Sequence, residues 1–551
     1  MNQSLRDEVA AWIAGDPDEV DRATLRALLE VDDEVELARR FATPLTFGTA
    51  GLRGPVMAGP SGMNRYTVRR ATQGVVAWLA EIGADAYKGV VVGRDARRGS
   101  ESFNDEAVGV LLGAGVRVYE MPGALPTPLV PYCVKALGAS AGIMITASHN
   151  PPLDNGYKLY ASDAAQIIPP HDEIVERHAR AAGVAHLAQR SSPLHEFISD
   201  ELLEEYRRHF VGRFGVGASA LRIAYTPLHG VGGEFMMGLL GRCGYANVTP
   251  VAAQFVPDGT FPTLPFPNPE EPGALDLAMA CADEATADVV IANDPDADRL
   301  GAAVRTSTGW QLLRGDEIGW LLASALLPSM HSPPDVVATT IVSSTLLAEM
   351  ARDAGITFAQ TLTGFKWISR AAGDGVLRLG YEEALGFAVD PLVPDKDGMS
   401  AGLALARLAH DLALQGRTLL DRLDEIETTF GVHSITQLAL RGEGSDAHQR
   451  IVAAVAALRA QPPTTLGGVD VLEVVDLAAG YQGLGATDGV VLSLGAMGRV
   501  VVRPSGTEAK LKAYIEVTTP PSSASSLADG RRRASSIVAL VRADLERLLA
   551  F

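Results

Sequence analysis

DVVIANDPDADR, residues 288–299, runs from a strand into an acidic loop. Val289, Val290, Ile291 and Ala292 form a continuous apolar run, rich in β-branched residues and too short for a helix. Such a run predicts a strand buried on both faces. Pro295 then opposes a helix through the acids. In a looped segment, side chains at i, i+2 and i+4 can converge on one side, and these are Asp294, Asp296 and Asp298. Three crowded carboxylates repel one another, and a hard divalent cation with oxygen ligands removes that repulsion. Mg²⁺ suits the loop better than zinc, because no His or Cys lies near. An acidic turn that caps the following helix is the plainer alternative. Arg299, directly after the acids, turns the reading toward a site that handles phosphate.

The same strand-then-loop pattern recurs on both sides of this stretch. VVVGRDARRGS (90–100), GIMITASHNP (142–151), RIAYTPLHGVGG (222–233) and VVATTIVSS (336–344) each place a short apolar run before a loop, usually with a helical stretch following. This order predicts α/β units whose sheets are covered on both faces, with ligands bound beyond the carboxyl ends of the strands. Residues 1–40 carry apolar residues at helical spacing. Beyond residue 430 the pattern changes: His433–Leu440, Val469–Leu477, Arg499–Arg503 and Leu511–Val517 read as strands, Asp446–Leu458 and Ala534–Leu549 as helices. Short connections there predict an antiparallel sheet with helices on one face, a separate α+β domain. TTPPSSASSLADG (518–530) reads as a flexible loop or short linker.

Composition narrows the class. The chain has 551 residues, 47% hydrophobic and 21% charged, enough for sizeable cores in three or four domains at about 150 residues each. No apolar run approaches the ~20 residues of a membrane span. The first residues lack a basic stretch followed by an apolar one, so no cleaved secretion signal is expected. Cys133, Cys243 and Cys281 lie far apart with no CxxC, which fits a reducing compartment and opposes a disulfide framework or zinc site. A net charge of −19, with no long basic block except Arg531–Arg533, argues against a nucleic-acid surface. The expectation is a cytoplasmic globular enzyme that engages neither nucleic acid nor membrane. An anionic ligand would have to be drawn in by local cations.

Further loops carry chemistry. In TASHNPPLDNGYKL (146–159), Ser148 follows a buried strand and reads as a nucleophile or phosphate carrier, or as a turn serine bonding its own backbone. No GxSxG elbow is present, which weakens an esterase reading. RPSGTE (503–508) offers the Ser505 and Thr507 hydroxyls, a Gly506 free to adopt positive φ and the Arg503 fork, an anion nest or an ordinary hairpin turn. GYEEALG (380–386) holds Glu382 and Glu383 between glycines, suited to sugar hydroxyls or simply solvated. FGTAGLRGP (47–55) sets Arg53 among small residues as a phosphate contact. Lys366 in LTGFKW and Lys396 in PDKDG are lone lysines in turns.

Taken together and in order, TASHNP, DPDADR, YEEALG and RPSGTE resemble the phosphoserine, metal, sugar and phosphate loops of the α-D-phosphohexomutase family. NPPLDNGYKLY, TGFKW and GYEEALG look most like its phosphoglucomutase-2 and phosphopentomutase branch. The resemblance implies three α/β sandwich domains with mixed sheets and a C-terminal α+β domain around a central cleft, with edges near 1–205, 206–314, 315–430 and 431–551. It implies that Ser148 is phosphorylated and that Asp294, Asp296 and Asp298 hold one Mg²⁺ together with a phosphoserine oxygen. Arg53, Lys158, Arg299 and Lys396 match cations near the reacting phosphoryl group, and His149 follows the serine as in the family. Lys158, then His149, then Lys396 are the candidate bases. Glu382 matches the sugar-hydroxyl acceptor, with Glu383 and Lys366 beside it in substrate binding, and Arg503, Ser505, Gly506 and Thr507 match the grip on the non-reacting phosphate.

Charge agrees with this assignment. A phosphoserine near −2, three aspartates and one Mg²⁺ leave a surplus of about −3, which Arg53, Lys158, Arg299 and Lys396 offset. The expected activity interconverts glucose or mannose 1-phosphate and 6-phosphate through a bisphosphate, which also serves as activator, in a monomer or homodimer. Ala384 stands where many relatives carry serine, which weakens the hexose preference. A phosphopentomutase or a glucose-1,6-bisphosphate synthase is the alternative within the enzyme class. A non-catalytic phosphosugar binder and a metal-dependent hydrolase lie further off.

Overall fold

Short runs of valine and isoleucine set the sheets, and glycines let helices close on them. In the computed structural model, which describes residues 3–48, 51–442, 447–504, 510–521 and 526–550, the chain divides into two units. One comprises Met1–Leu313 and Gly386–His410, the other Arg314–Leu385 and Asp411–Phe551.

The first unit begins with helices Gln3–Gly15, Glu19–Glu30 and Glu34–Phe41, as the helical spacing predicts. A six-stranded mixed sheet follows, in the order Leu52–Pro55, Asp154–Tyr160, Ala141–Ile145, Val90–Arg94, Val118–Ala124, His195–Phe197. The first three strands run antiparallel and the rest parallel. Val90 and Val92 bury against the helices Arg65–Glu81 and Ser100–Gly113. Helix Leu129–Leu137 also closes tightly on the sheet, because Gly93 and Gly142 leave room for Val130 and Val134. A Cβ at Gly142 would meet Val134 at 2.7 Å. The second sheet is also mixed, in the order Gly309–Leu312, Leu300–Thr306, Val289–Asn293, Ser219–Thr226, Tyr245–Pro250. Val289–Asn293 is buried at every position, as its unbroken apolar run demands.

In the second unit, Asp335–Thr340 lies parallel between Thr357–Thr361 and Val376–Glu382, and the buried helix Gly315–Leu326 packs on them through Gly319 against Tyr381. The C-terminal sheet is antiparallel, in the order Val432–Arg441, Lys510–Thr519, Gly498–Pro504, Val490–Ser493, Glu473–Asp476. Alternate residues such as Val490, Leu492, Val500 and Val502 face helices Ala447–Ala460 and Leu527–Leu548, while Val491, Val501 and Tyr514 pack with Ile341 and Val342. The fold class is therefore the expected one, three α/β domains and a C-terminal domain with an antiparallel sheet.

Local expectations needed correction. Val469–Leu477 is two strands, Val469–Asp470 paired with Thr465–Leu466 and Glu473–Asp476 paired with Val490–Ser493, because the chain changes partner between them. Val490–Ser493 is a further strand, beyond those the sequence pattern predicts. The segment 518–530 is not all loop: the strand reaches Thr519 and the last helix starts at Leu527, whose side chain enters the core.

Asp316, in the second unit, is wholly buried and accepts hydrogen bonds from the Ser344 N–H (2.8 Å) and the Tyr381 hydroxyl (3.0 Å). Burial, reinforced by Glu383 and Glu516, lifts its carboxyl to about 7. A raised folded pKa means the folded state holds the proton longer, so its stabilising effect is full below the ordinary carboxylate range and is lost as pH rises toward 7. Asp316→Asn keeps the acceptor and has no proton to lose. Chemical denaturation should show a shallower fall in stability between pH 4 and 7 than in the wild type, and an unchanged slope would contradict the assignment.

Candidate active site

Two strand ends of the first unit converge. Ser148 sits just past Ala141–Ile145, and Asp294 directly follows Val289–Asn293. The Ser148 N–H donates to Thr146 Oγ1 (2.8 Å), and the serine holds a left-handed φ of 52°. That conformation is costly for a residue with a side chain and needs support from its surroundings. It brings Ser148 Oγ to 2.7 Å from Asp294 Oδ2, to which it donates, and to 3.1 Å from His149 Nδ1.

The acidic loop folds as a tight turn. The Ala297 N–H donates to the Asp294 carbonyl, Ala297 has a φ of 59°, and the Arg299 N–H donates to Asp294 Oδ1 at 3.0 Å. Asp294, Asp296 and Asp298, all buried, thereby offer ligand oxygens within 4.8 Å of one another. Asp296 Oδ2 accepts from Thr127 Oγ1 (2.6 Å) and Lys158 Nζ (2.6 Å), and Asp298 Oδ2 from Lys158 Nζ (2.7 Å), with Lys396 Nζ at 3.4 Å. The other oxygens, Asp296 Oδ1 and Asp298 Oδ1, are buried with no hydrogen-bond partner among the described residues. Two orphaned carboxylate oxygens beside a third carboxylate fit a hard cation, and the all-oxygen donor set favours Mg²⁺ over softer metals.

Electrostatics point the same way. Burial, then Asp296 and Asp298, push Asp294 well above the usual carboxylate range. For Asp298, burial pulls upward but Lys158, Lys396 and Arg299 outweigh it and hold the carboxyl far down. Burial, then Arg299 and Arg53, hold His149 well below its ordinary value, so its imidazole is neutral.

The remaining cations reach the same neighbourhood by different routes. Arg53 lies on a strand paired with Asp154–Tyr160, and its Nη1 donates to Asn150 Oδ1 at 3.0 Å. Gly156 lets these strands approach, since a Cβ there would meet the Leu52 carbonyl at 2.6 Å. Lys158 pairs with Met144, which carries its side chain from the sheet that bears the Ser148 loop to the acids. Arg299 Nε lies 4.0 Å from Asp298 Oδ1. The first unit thus assembles Arg53, Ser148, His149, Lys158, Asp294, Asp296, Asp298, Arg299 and Lys396.

The second unit holds the other sequence candidates. Glu382 ends the strand Val376–Glu382, and Glu383 Oε2 accepts from Ser343 Oγ at 3.2 Å. Lys366 sits on the short helix Phe365–Ile368, its Nζ 5.8 Å from the Trp367 ring centroid. Arg503 lies on the strand Gly498–Pro504, while Ser505, Gly506 and Thr507 fall outside the described residues.

Sequence reading overlooked Thr127 and Arg97. Thr127 binds Asp296 twice, through its hydroxyl and through its N–H to the Asp296 carbonyl (2.9 Å). Its only sequence signal is a position between Pro126 and Pro128, which fix an extended turn. Among the described residues no helix is long and apolar enough to cross a membrane.

Comparisons with known proteins cover most of the chain. Four successive segments match descriptions of "Phosphoglucomutase/phosphomannomutase": alpha/beta/alpha domain I over residues 44–184, domain II over 204–309, domain III over 314–430 and the C-terminal domain over 446–534. A Haemophilus influenzae protein named "Probable phosphomannomutase" is 40% identical over 463 residues, covering 83% of this chain and 93% of its own. The Mus musculus phosphopentomutase is 34% identical over 567 residues, covering 95% and 91%. A phosphoglucomutase/phosphomannomutase family protein from Burkholderia thailandensis shares the fold with a TM-score of 0.68 at 21% identity, over 91% of this chain and 97% of that one.

Proposed function

Since this chain belongs to the phosphoglucomutase/phosphomannomutase family of phosphosugar mutases, we propose that Ser148 is its phosphoryl carrier and that glucose or mannose 1-phosphate and 6-phosphate are interconverted on it. The observation that carries this reading is the Ser148 Oγ–Asp294 Oδ2 contact of 2.7 Å, beside two orphaned carboxylate oxygens and a ring of cations.

In the first half-reaction the bond between Ser148 Oγ and phosphorus breaks as the free hydroxyl of the sugar monophosphate bonds to phosphorus. Lys158, once its ammonium has given up a proton, takes the hydroxyl proton as the free amine and passes it on to the departing Ser148 Oγ, and Arg53, Arg299 and Lys396 offset charge on the moving phosphoryl oxygens. In the second half the bond between the sugar oxygen and the other phosphorus of the bisphosphate breaks, the oxygen leaving with the proton that the serine gives up, as Ser148 Oγ attacks that phosphorus. The serine proton passes first to His149 Nδ1, 3.1 Å away on a neutral ring. A loose phosphoryl-transfer transition state asks chiefly for alignment and charge stabilisation. One Mg²⁺ on Asp294, Asp296 and Asp298, sharing a phosphoserine oxygen, would neutralise part of that charge when bound. Glu382, Glu383 and Lys366 are read as the sugar contacts, and Arg503 with Ser505, Gly506 and Thr507 as the grip on the phosphate that does not react. A sugar bisphosphate primes the serine, in a cytoplasmic monomer or homodimer.

Ala384 favours a second reading, the phosphopentomutase, because this residue has no side-chain hydroxyl to bind a hexose. Values of kcat/KM for glucose, mannose, ribose and deoxyribose 1-phosphates with bisphosphate present separate the two. Ala384→Ser should move the hexose-to-pentose ratio of kcat/KM toward hexose by about tenfold, the worth of one net hydrogen bond. No movement would remove residue 384 from substrate selection. Phosphate incorporation at Ser148, followed by intact mass, tests the carrier role; a protein that turns over sugar phosphates without it refutes the relay.

A further inference from the structure

Arg97 enters the first unit from the turn after Val90–Arg94 and is almost wholly buried, 3% exposed. Its guanidinium donates to four main-chain carbonyls of one loop. Nη2 reaches Ser148 O and Asn150 O, both at 2.6 Å, and Nη1 reaches Pro151 O at 2.8 Å and Asp154 O at 3.0 Å. The loop that carries the serine is thus wrapped around a buried cation. Arg97 is itself flanked by an acid and an aromatic ring. Asp95 Oδ1 accepts from the Arg97 N–H (2.9 Å) and from Ser100 Oγ (2.5 Å), Asp95 Oδ2 lies 3.6 Å from Nε, and the Phe261 ring centroid lies 4.7 Å from the guanidinium carbon. At Gly259 a Cβ would come within 2.8 Å of Arg97 Cα, so that glycine is what lets the neighbouring segment close over it.

We propose that Arg97 is a positioning residue for phosphoryl transfer: its planar fork moulds the 148–154 loop and so holds Ser148 in the left-handed conformation that aims Oγ at Asp294. The inference rests on the carrier role of Ser148. Lysine cannot replace the arginine here, because a point charge with three tetrahedral donors does not span four carbonyls arranged around a flat fork. The residue touches neither sugar nor phosphate in this account, so its loss should slow transfer without weakening substrate binding.

The test compares wild type, Arg97→Lys and Arg97→Ala with Mg²⁺, glucose 1,6-bisphosphate and glucose 1-phosphate. Arg97→Lys should lower kcat and the single-turnover rate of Ser148 phosphorylation by about a hundredfold, the scale of a displacement near 1 Å, with KM nearly unchanged. Millimolar guanidinium should partly restore Arg97→Ala. Hydrogen exchange across residues 146–155 should rise in both variants. Should either variant fail to fold by thermal melting, Phe261→Leu leaves the guanidinium in place but loosens it, and should slow transfer about threefold. Wild-type transfer rates in the folded variants, or a loss carried by KM alone, overturn the proposal. A wild-type protein that takes no phosphate on Ser148 overturns the carrier role instead.

Discussion

Ser148→Ala lowers mutase turnover by more than about 10³-fold, the scale on which an activated nucleophile is missed. Its hydroxyl is the group that joins the two converging loops, donating to Asp294 Oδ2 at 2.7 Å across 146 positions of sequence. Alanine leaves the loop in place, because the Arg97 contacts go to carbonyls and the Thr146 contact goes to the Ser148 N–H. The variant should therefore melt close to the wild type, retain the three carboxylates suited to a metal and take no phosphate from a sugar bisphosphate by intact mass. Wild-type-like turnover in the folded variant would end the phosphoserine account, whatever the fold. A large loss of thermal stability would show instead that the hydroxyl is chiefly structural.

The chemistry-bearing loops were legible because each advertises itself locally. An unbroken apolar strand followed by Asp-Pro-Asp-Ala-Asp-Arg can be read without knowing its neighbours, since proline blocks the helix and alternation gathers the acids. Ser148 was legible for the same reason, as a polar turn at the end of a buried strand. Arg97 was not. Its sequence setting, two arginines after an aspartate, looks like a solvated turn, and only the fold brings the carbonyls of 148–154 around it, 51 to 57 positions away. Thr127 is hidden in the same way, because its partner Asp296 lies 169 positions along the chain.

The misread segments have a physical cause as well. Gly530 and the serines before it resemble a linker, yet Leu527, Ala534, Val538 and Val541 recur on one helical face, and their burial outweighs the low helix propensity of glycine. At Val469–Leu477 the apolar-rich run continues through a change of partner, which the sequence pattern does not register. Tertiary contacts decide both cases.

Lys158→Met should separate the two roles that its position combines. The ammonium donates to Asp296 Oδ2 at 2.6 Å and Asp298 Oδ2 at 2.7 Å, with all three side chains essentially unexposed. Removing one partner of a buried ionic cluster leaves uncompensated charge and typically costs about 3–5 kcal/mol. Lys396, 3.4 Å from Asp298 Oδ2, remains to offset some of it, so the lower end is expected. The metal-free variant should accordingly melt well below the wild type. Its carboxylates then face less competing positive charge, so Mg²⁺ should bind more tightly and raise the melting temperature by more than in the wild type, through the ordinary linkage of ligand binding to stability. Turnover should nevertheless fall by about 10²–10⁴-fold, the contribution of a positioned proton-transfer group. Tighter metal binding with lower activity marks Lys158 as a participant in the chemistry, since a residue that merely balanced charge would be replaced by the metal without loss. Undiminished turnover at saturating Mg²⁺ would remove Lys158 from the proton path and leave His149 and Lys396 as the remaining candidates.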